Sequence, residues 1–211
     1  MLIFGQNLRF MLVVGIAGGT GAGKSTVVRK IMEQLPHDKV SVIPQDNYYR
    51  DNSHLDLKDR HLLNFDHPSA IEFNLLVEHI KQLKKGQSIK MPMYSYLTCK
   101  RSEETILVTP KEVIVVEGIL IMTNAALRDQ LHIKVFVDAD ADDRLIRCIT
   151  RDILERGRNV REVLERYENS VKPMHMQFIE PSKRYADIIV PQGGNNTVAI
   201  NVLASMIKAN L

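Results

Sequence analysis

Lys24 and Ser25 close a run of small residues, Gly18-Gly19-Thr20-Gly21-Ala22-Gly23-Lys24-Ser25-Thr26, spaced as G-x-x-x-x-G-K-S. This is the pattern of a phosphate-binding loop, or P-loop. A polyphosphate needs backbone N–H groups aimed at it from close range, and glycines permit both the turn and the approach. A helix starting near Lys24 adds unpaired N–H groups and the positive end of its dipole. Lys24 brings a point charge to the β- and γ-phosphates, and Ser25 offers a hydroxyl to Mg²⁺. The expected ligand is a nucleoside triphosphate.

Three further features narrow the chemistry. Glu117 ends an apolar run, Val113-Ile114-Val115-Val116, where an acidic residue commonly holds Mg²⁺ directly or through water. A strand-end surface carboxylate is the plainer alternative. Asp46 follows a second apolar run, Val40 to Ile43. Ligands in open α/β sheets sit at the carboxyl ends of strands, so Asp46 is placed to reach a substrate hydroxyl. A turn-forming Asp before Asn47 is the competing explanation. Arg151, Arg156 and Arg158 gather around Gly157, where arginines on a closable segment would clamp migrating phosphate charge. A solvated basic helix would look the same. An N-K-x-D base-reading motif is absent, which counts against a switch GTPase.

The elements that must carry these residues follow from pattern. Leu12 to Ile16 reads as a buried strand, and Val27, Val28, Ile31, Met32 and Leu35 fall at helical spacing after the loop. Residues 50–64 are polar and read as an exposed loop or irregular helix. Ser69 and Glu72 make a capping box for a helix whose buried face is Phe73, Leu76, Val77, Ile80 and Leu83, ended by Gly86. Residues 88–109 predict a β-hairpin beside the main sheet. Asn124 to Gln130 predicts a short helix and Ile133 to Val137 a buried strand. A long Arg-rich helix runs from Ala141 to Arg156 and breaks at Gly157. A second carries Val163, Leu164 and Tyr167 and meets Pro173. Ile188 to Val190 is a last short strand, and Asn196 or Thr197 caps a closing helix with Ile200, Leu203 and Ile207 inward. Strands alternating with helices predict an α/β fold of three layers, with a mainly parallel sheet covered on both faces.

The 211 residues suit one domain over 1–211, with 1–10 as an N-terminal extension or the product of an upstream start. Residues 141–178 would form a helical lid. With 45% hydrophobic and 25% charged residues the chain can build a large core. A net charge of +3 with scattered Lys and Arg argues against a nucleic-acid partner. Cys99 and Cys148 have no paired spacing, which predicts a reducing, cytoplasmic setting without disulfides. No apolar run reaches membrane length. Residues 1–10 have one basic residue and too little apolar core for a signal peptide.

Several blocks, in order from residue 12 to 210, resemble the uridine kinase (uridine–cytidine kinase) family of P-loop kinases. They are Gly15 to Thr26, Gln45 to Tyr49, Phe65 to Ala70, Pro92 to Tyr96, Val116 to Leu120, Arg151 to Arg158 and Tyr185 to Pro191. The resemblance implies phosphorylation of a pyrimidine nucleoside 5′-hydroxyl from ATP or GTP with Mg²⁺ at Ser25 and Glu117. It implies that Asp46 positions or deprotonates that hydroxyl, with Lys24 and Arg151 as further catalytic groups. Asp66 would hold the ribose hydroxyls, and Tyr94, Tyr49, Phe65 and Tyr96 would surround the base beneath the hairpin. Arg151, Arg156 and Arg158 belong to its lid and phosphate site, and Asn195 to its nucleotide side. The family usually assembles as a homotetramer restrained by pyrimidine triphosphates.

This chain departs from the family where the nucleoside would sit. Cys99 replaces a histidine that reads the pyrimidine edge, Cys148 an arginine beside Arg147, and Arg166 a glutamine. Pro191-Gln192-Gly193 replaces P-R-G. A thiol is a weak donor and acceptor, so losing the histidine weakens base selection more than catalysis. Either Arg166 restores across helices the cation lost at Cys148, or the substrate is different or broader; ordinary core filling accounts equally well for both cysteines. A related kinase acting on another hydroxyl substrate, as phosphoribulokinase does, and a nucleotide-binding regulator without catalysis are the other readings.

Overall fold

The computed structural model describes residues 10–211, so most of the expected extension at 1–10 lies outside the described residues. Five strands form one parallel sheet in the order β2-β5-β1-β6-β7: β1 is Leu12–Gly18, β2 Val40–Pro44, β5 Val113–Glu117, β6 Ile133–Val137 and β7 Ile188–Val190. Side-chain alternation along each strand feeds two cores. Leu12, Val14 and Ile16 pack with Val27 and Ile31 of α1 (Lys24–Met32) and with Ile200, Leu203 and Ile207 of the closing helix α7 (Thr197–Lys208). Val13 and Ala17 face the other way, onto Leu76, Ile80 and Leu83 of α3 (Phe73–Lys84). Each fully buried aliphatic side chain contributes about 1.5–3 kcal/mol. These strands therefore hold their register firmly, because a one-residue slip would reverse every face.

That register positions the site. Ile16 of β1 and Pro44 of β2 both pair with Glu117 at the end of β5. Three strands thus deliver the P-loop, Glu117 and Gln45-Asp46 to one edge of the sheet. Gln45 begins a 3₁₀ turn, Gln45–Tyr48, and is fully buried with Oε1 accepting from the Leu120 amide at 2.8 Å. A Cβ on Gly118 would collide with the Gln45 side chain, so this crossing requires glycine.

Strands β3 (Ile89–Ser95) and β4 (Lys100–Val108) form the expected hairpin as a separate antiparallel sheet with an irregularity between Pro92 and Tyr94. Arg101 of β4 pairs with Glu72 at 2.7 Å, and the Tyr94 amide donates to Asn47 Oδ1. Helix α2 is short (Leu57–His61), within the polar 50–64 stretch. Helix α4 (Ala125–Arg128) is capped by Asn124. The Arg-rich helix α5 is Ala141–Arg156, stopped by Gly157 at φ 66°. Asn159 and Glu162 form a reciprocal capping box that opens α6 (Val160–Arg166).

One local expectation fails. Ser69 and Glu72 do not form a capping box: Pro68–Ala70 is a 3₁₀ turn capped by His67, and Glu72 is the N-cap of α3 with no side-chain cap bond. Glu72 is instead engaged by Arg101. The helix after Gly157 meets Pro173 and runs on beyond it. A π turn at Tyr167–Val171 precedes the proline, and helical turns continue through a second π turn, His175–Ile179, to Ser182. Widened turns accommodate a residue that has no N–H to give. Among the described residues no helix is long and apolar enough to cross a membrane.

Candidate active site

The P-loop bends where glycine is needed. Gly21 and Gly23 have φ of 79° and 92°, and the Ala22 amide closes the turn onto the Gly19 carbonyl at 3.0 Å. A Cβ on Gly21 would strike the backbone carbonyl of Arg144 in the first turn of α5, so α5 and the loop pack directly. Arg147 Nη1 reaches the Gly21 carbonyl at 3.3 Å. Behind the loop lie Arg144 and His175, both buried, facing Gly19. Burial, then Arg144, pushes His175 down to about 4, so it is neutral.

Lys24 is buried, with Nζ donating to the Gly19 carbonyl at 3.2 Å, and burial lowers its pKa against the pull of Glu117 and Asp46. Ser25 Oγ lies 3.1 and 3.2 Å from the two oxygens of Glu117. Burial raises the Glu117 carboxyl above its ordinary value, and Lys24 opposes that rise. A hydroxyl beside a carboxylate is an oxygen pair suited to Mg²⁺, which is commonly bound by one or two carboxylates together with substrate phosphates. Among the described residues there is no cluster of three or more His, Cys, Asp or Glu that would form an all-protein cage.

One cavity collects these groups. Its walls include Thr20, Lys24, Ser25, Asp46, Asp66, Glu117, the aromatic residues Tyr49, Phe65, Tyr94 and Tyr96, and Arg151, Arg156, Arg158 and Arg166. The rings of Tyr49, Phe65 and Tyr94 contact one another, with centroids 4.9–6.1 Å apart. They form an apolar wall fit for a planar ring. Asp66 is buried, accepting from Thr20 Oγ1 at 3.2 Å and from Arg166 Nη2 at 2.8 Å. Arg166 therefore ties the carboxylate expected at the ribose to α6.

Cys99 also lines the cavity. It is buried at φ 50°, and its thiol donates to the Tyr96 carbonyl. Cys148 is buried in α5, outside the cavity lining, and burial pushes its thiol up. Gly18, Gly19, Gly21, Ala22, Gly23 and Thr26 shape the loop without lining the cavity. Asn195 is not brought to the cavity. It is exposed in the turn Gly193–Asn195, where Gly194 packs on Thr26.

Two features escaped the sequence argument. Asp152 is 1% exposed and sits beneath the arginines, 2.7 Å from Arg158, 2.8 Å from Arg151, 3.4 Å from Arg156 and 3.5 Å from Arg166. Burial raises its pKa, yet the arginines, Arg151 foremost, bring it below its ordinary value. The signal was present: one Asp amid Arg151, Arg156 and Arg158, with Arg156 four residues on. The second is the Tyr96 hydroxyl, which donates to Asp46 Oδ2. Nothing in the spacing pointed to it.

The model of the Phosphoribulokinase / Uridine kinase family matches residues 13–199. The uridine kinase of Halalkalibacterium halodurans is 50% identical over 198 residues, covering 94% of each chain. The uridine kinase of Clostridium novyi is 51% identical over 197 residues, covering 93% of this chain and 95% of that one. Among solved structures, the D-glycerate 3-kinase of Cryptococcus neoformans shares the fold, with a TM-score of 0.60 at 16% identity over 80% of this chain and 79% of that one.

Proposed function

The chain belongs to the phosphoribulokinase / uridine kinase family, and on that premise we propose that it is a uridine/cytidine kinase. It transfers the γ-phosphate of ATP or GTP to the 5′-hydroxyl of a pyrimidine nucleoside, giving UMP or CMP. The observation that carries this reading is the placement of Asp46 in the same cavity as Lys24, the Ser25–Glu117 pair and the arginines, beside an aromatic wall. A carboxylate, the lysine and serine that end the P-loop, and an aromatic wall share one space.

The P-loop amides and Lys24 hold the β- and γ-phosphates. Ser25 and Glu117 are the residues that would hold Mg²⁺, which neutralises phosphate charge when bound. Asp66 takes the ribose hydroxyls, and the wall of Tyr49, Phe65 and Tyr94 lies against the base, with Cys99 at its edge. Asp46 receives the proton of the 5′-hydroxyl as its oxygen attacks the γ-phosphorus in line. Arg151, Arg156 and Arg158 meet the charge that develops on the transferred group and exclude water as a rival acceptor.

An ADP-release assay over a panel of nucleosides tests the reading, with ribulose 5-phosphate as a sugar-phosphate arm. Uridine or cytidine should stimulate ADP release. Asp46→Asn should lower kcat by roughly 10²–10⁴-fold with much less effect on nucleoside KM. Stimulation by the sugar phosphate alone, or full activity in D46N, would refute it.

A further inference from the structure

Tyr96 follows the last residue of β3, at the turn into β4, and is 42% exposed. Its phenol donates to Asp46 Oδ2. The guanidinium of Arg156 lies over its ring, 4.3 Å from the centroid, and its edge meets Tyr94 at 5.7 Å and 85°. Arg156 is the last residue of α5, and its Nη1 is 3.4 Å from Asp152. A chain of contacts thus runs from the buried Asp152 through Arg156 and Tyr96 to Asp46. It joins the hairpin tip and the end of the Arg-rich helix over the carboxylate.

We propose that Tyr96 is a positioning residue for phosphoryl transfer: its phenol, steadied by Arg156, holds one oxygen of Asp46 so that the other receives the acceptor's proton. The inference rests on Asp46 being the base of the reaction proposed above. In that step the O–H bond of the acceptor breaks and its proton passes to Asp46 Oδ1. The freed oxygen bonds to the γ-phosphorus, and the bridging oxygen leaves with its electron pair on the nucleoside diphosphate. Tyr96 keeps its own proton throughout, because burial, then the Asp46 carboxylate, raises its pKa far above the ordinary value. An aromatic wall needs only a ring, which phenylalanine supplies equally. The hydroxyl is the part that the wall does not explain. A donor on a carboxylate removes its free rotation and lets it meet the acceptor in one orientation.

The test uses the full chain as wild type, Tyr96→Phe, Asp46→Asn and the double variant, with kcat and nucleoside KM measured for each. A hydrogen bond to a charged group translates to a fall in kcat of about 10- to 100-fold in Y96F. Nucleoside KM should stay within about 3-fold, since the ring remains. In the D46N background, Y96F should change kcat by less than about 2-fold, because the base that it positions is already gone. Wild-type kcat in Y96F, or an equal loss in both backgrounds, would overturn the inference, and a KM effect alone would mark Tyr96 as wall. Ultraviolet titration of the tyrosines gives a readout independent of activity. D46N should bring one phenol's ionisation to lower pH than in wild type, and an unchanged curve would overturn the hydrogen bond. A wild-type protein that phosphorylates no nucleoside would fail the functional reading itself, and with it the role of Tyr96 in transfer.

Discussion

Replacing Asp152 with Asn keeps the shape of the side chain and removes its charge. Four guanidinium groups, from Arg151, Arg156, Arg158 and Arg166, then converge on a neutral amide. Stripping one partner from a fully buried ion pair costs roughly 3–5 kcal/mol. The arginine side chains here keep 17–30% exposure, so solvent recovers part of that, and about 2–3 kcal/mol is expected. In a chain of this size that lowers Tm by about 5–10 °C. Thermal unfolding followed by circular dichroism measures it, with and without ATP. Polyphosphate is the natural substitute counterion for the uncovered arginines, so ATP should raise the Tm of D152N more than that of wild type. Acid gives a second check. Asp152 has a folded pKa below its ordinary 3.8, so its contribution is present above that value and lost as pH falls through the folded pKa. Wild type should lose stability in that acid range more steeply than D152N. A variant that melts within about 1 °C of wild type, with the same ATP shift, would refute the idea that this carboxylate gathers the four arginines.

Three further outcomes are expected. His175 is buried against Arg144, with Glu180, Asp138 and Lys183 nearby, and its pKa falls from 6.5 to about 4. The unfolded chain takes up this proton first, so stability is full above the ordinary pKa and declines as pH falls towards the folded one, by up to about 3 kcal/mol; His175→Phe should flatten that decline in denaturant titrations run over the interval. Arg166→Ala leaves Asp66 with Thr20 alone, and nucleoside KM should rise about 10-fold with a smaller change for ATP; an unchanged nucleoside KM would remove Arg166 from the acceptor site. Gly21→Ala puts a Cβ against the Arg144 carbonyl at a φ of 79°, so ATP affinity by calorimetry should fall by roughly 10-fold or more.

What could be read ahead of the structure was whatever neighbouring residues settle among themselves. The turn from β1 into α1, the stop of β5 at Glu117 and the stop of α5 at Gly157 each depend on residues within one or two turns of chain. What could not be read depends on distant partners. Ser69 and Glu72 have the spacing of a capping box, but Pro68 commits Ser69 to a 3₁₀ turn and Arg101, 29 positions on, takes Glu72. Pro173 stops a helix only if its turn must be an α turn, and packing against the P-loop through His175 favours continuing through π turns instead. Asn195 sits one residue before the cap of α7, and Gly194, not Asn195, is the residue pressed on the P-loop helix. The candidate site shows the same division. Residue type indicated that Asp46, Glu117 and the arginines carry chemistry. Which carboxylate is held by arginine and which is not is a difference of surroundings. Asp152 and Asp66 are both buried and both engaged by arginine, whereas Asp46 is met by a phenol, a neutral donor that leaves its charge available. That contrast sets Asp46 apart from Asp66 and Asp152, and it arises only when the hairpin folds over the end of α5.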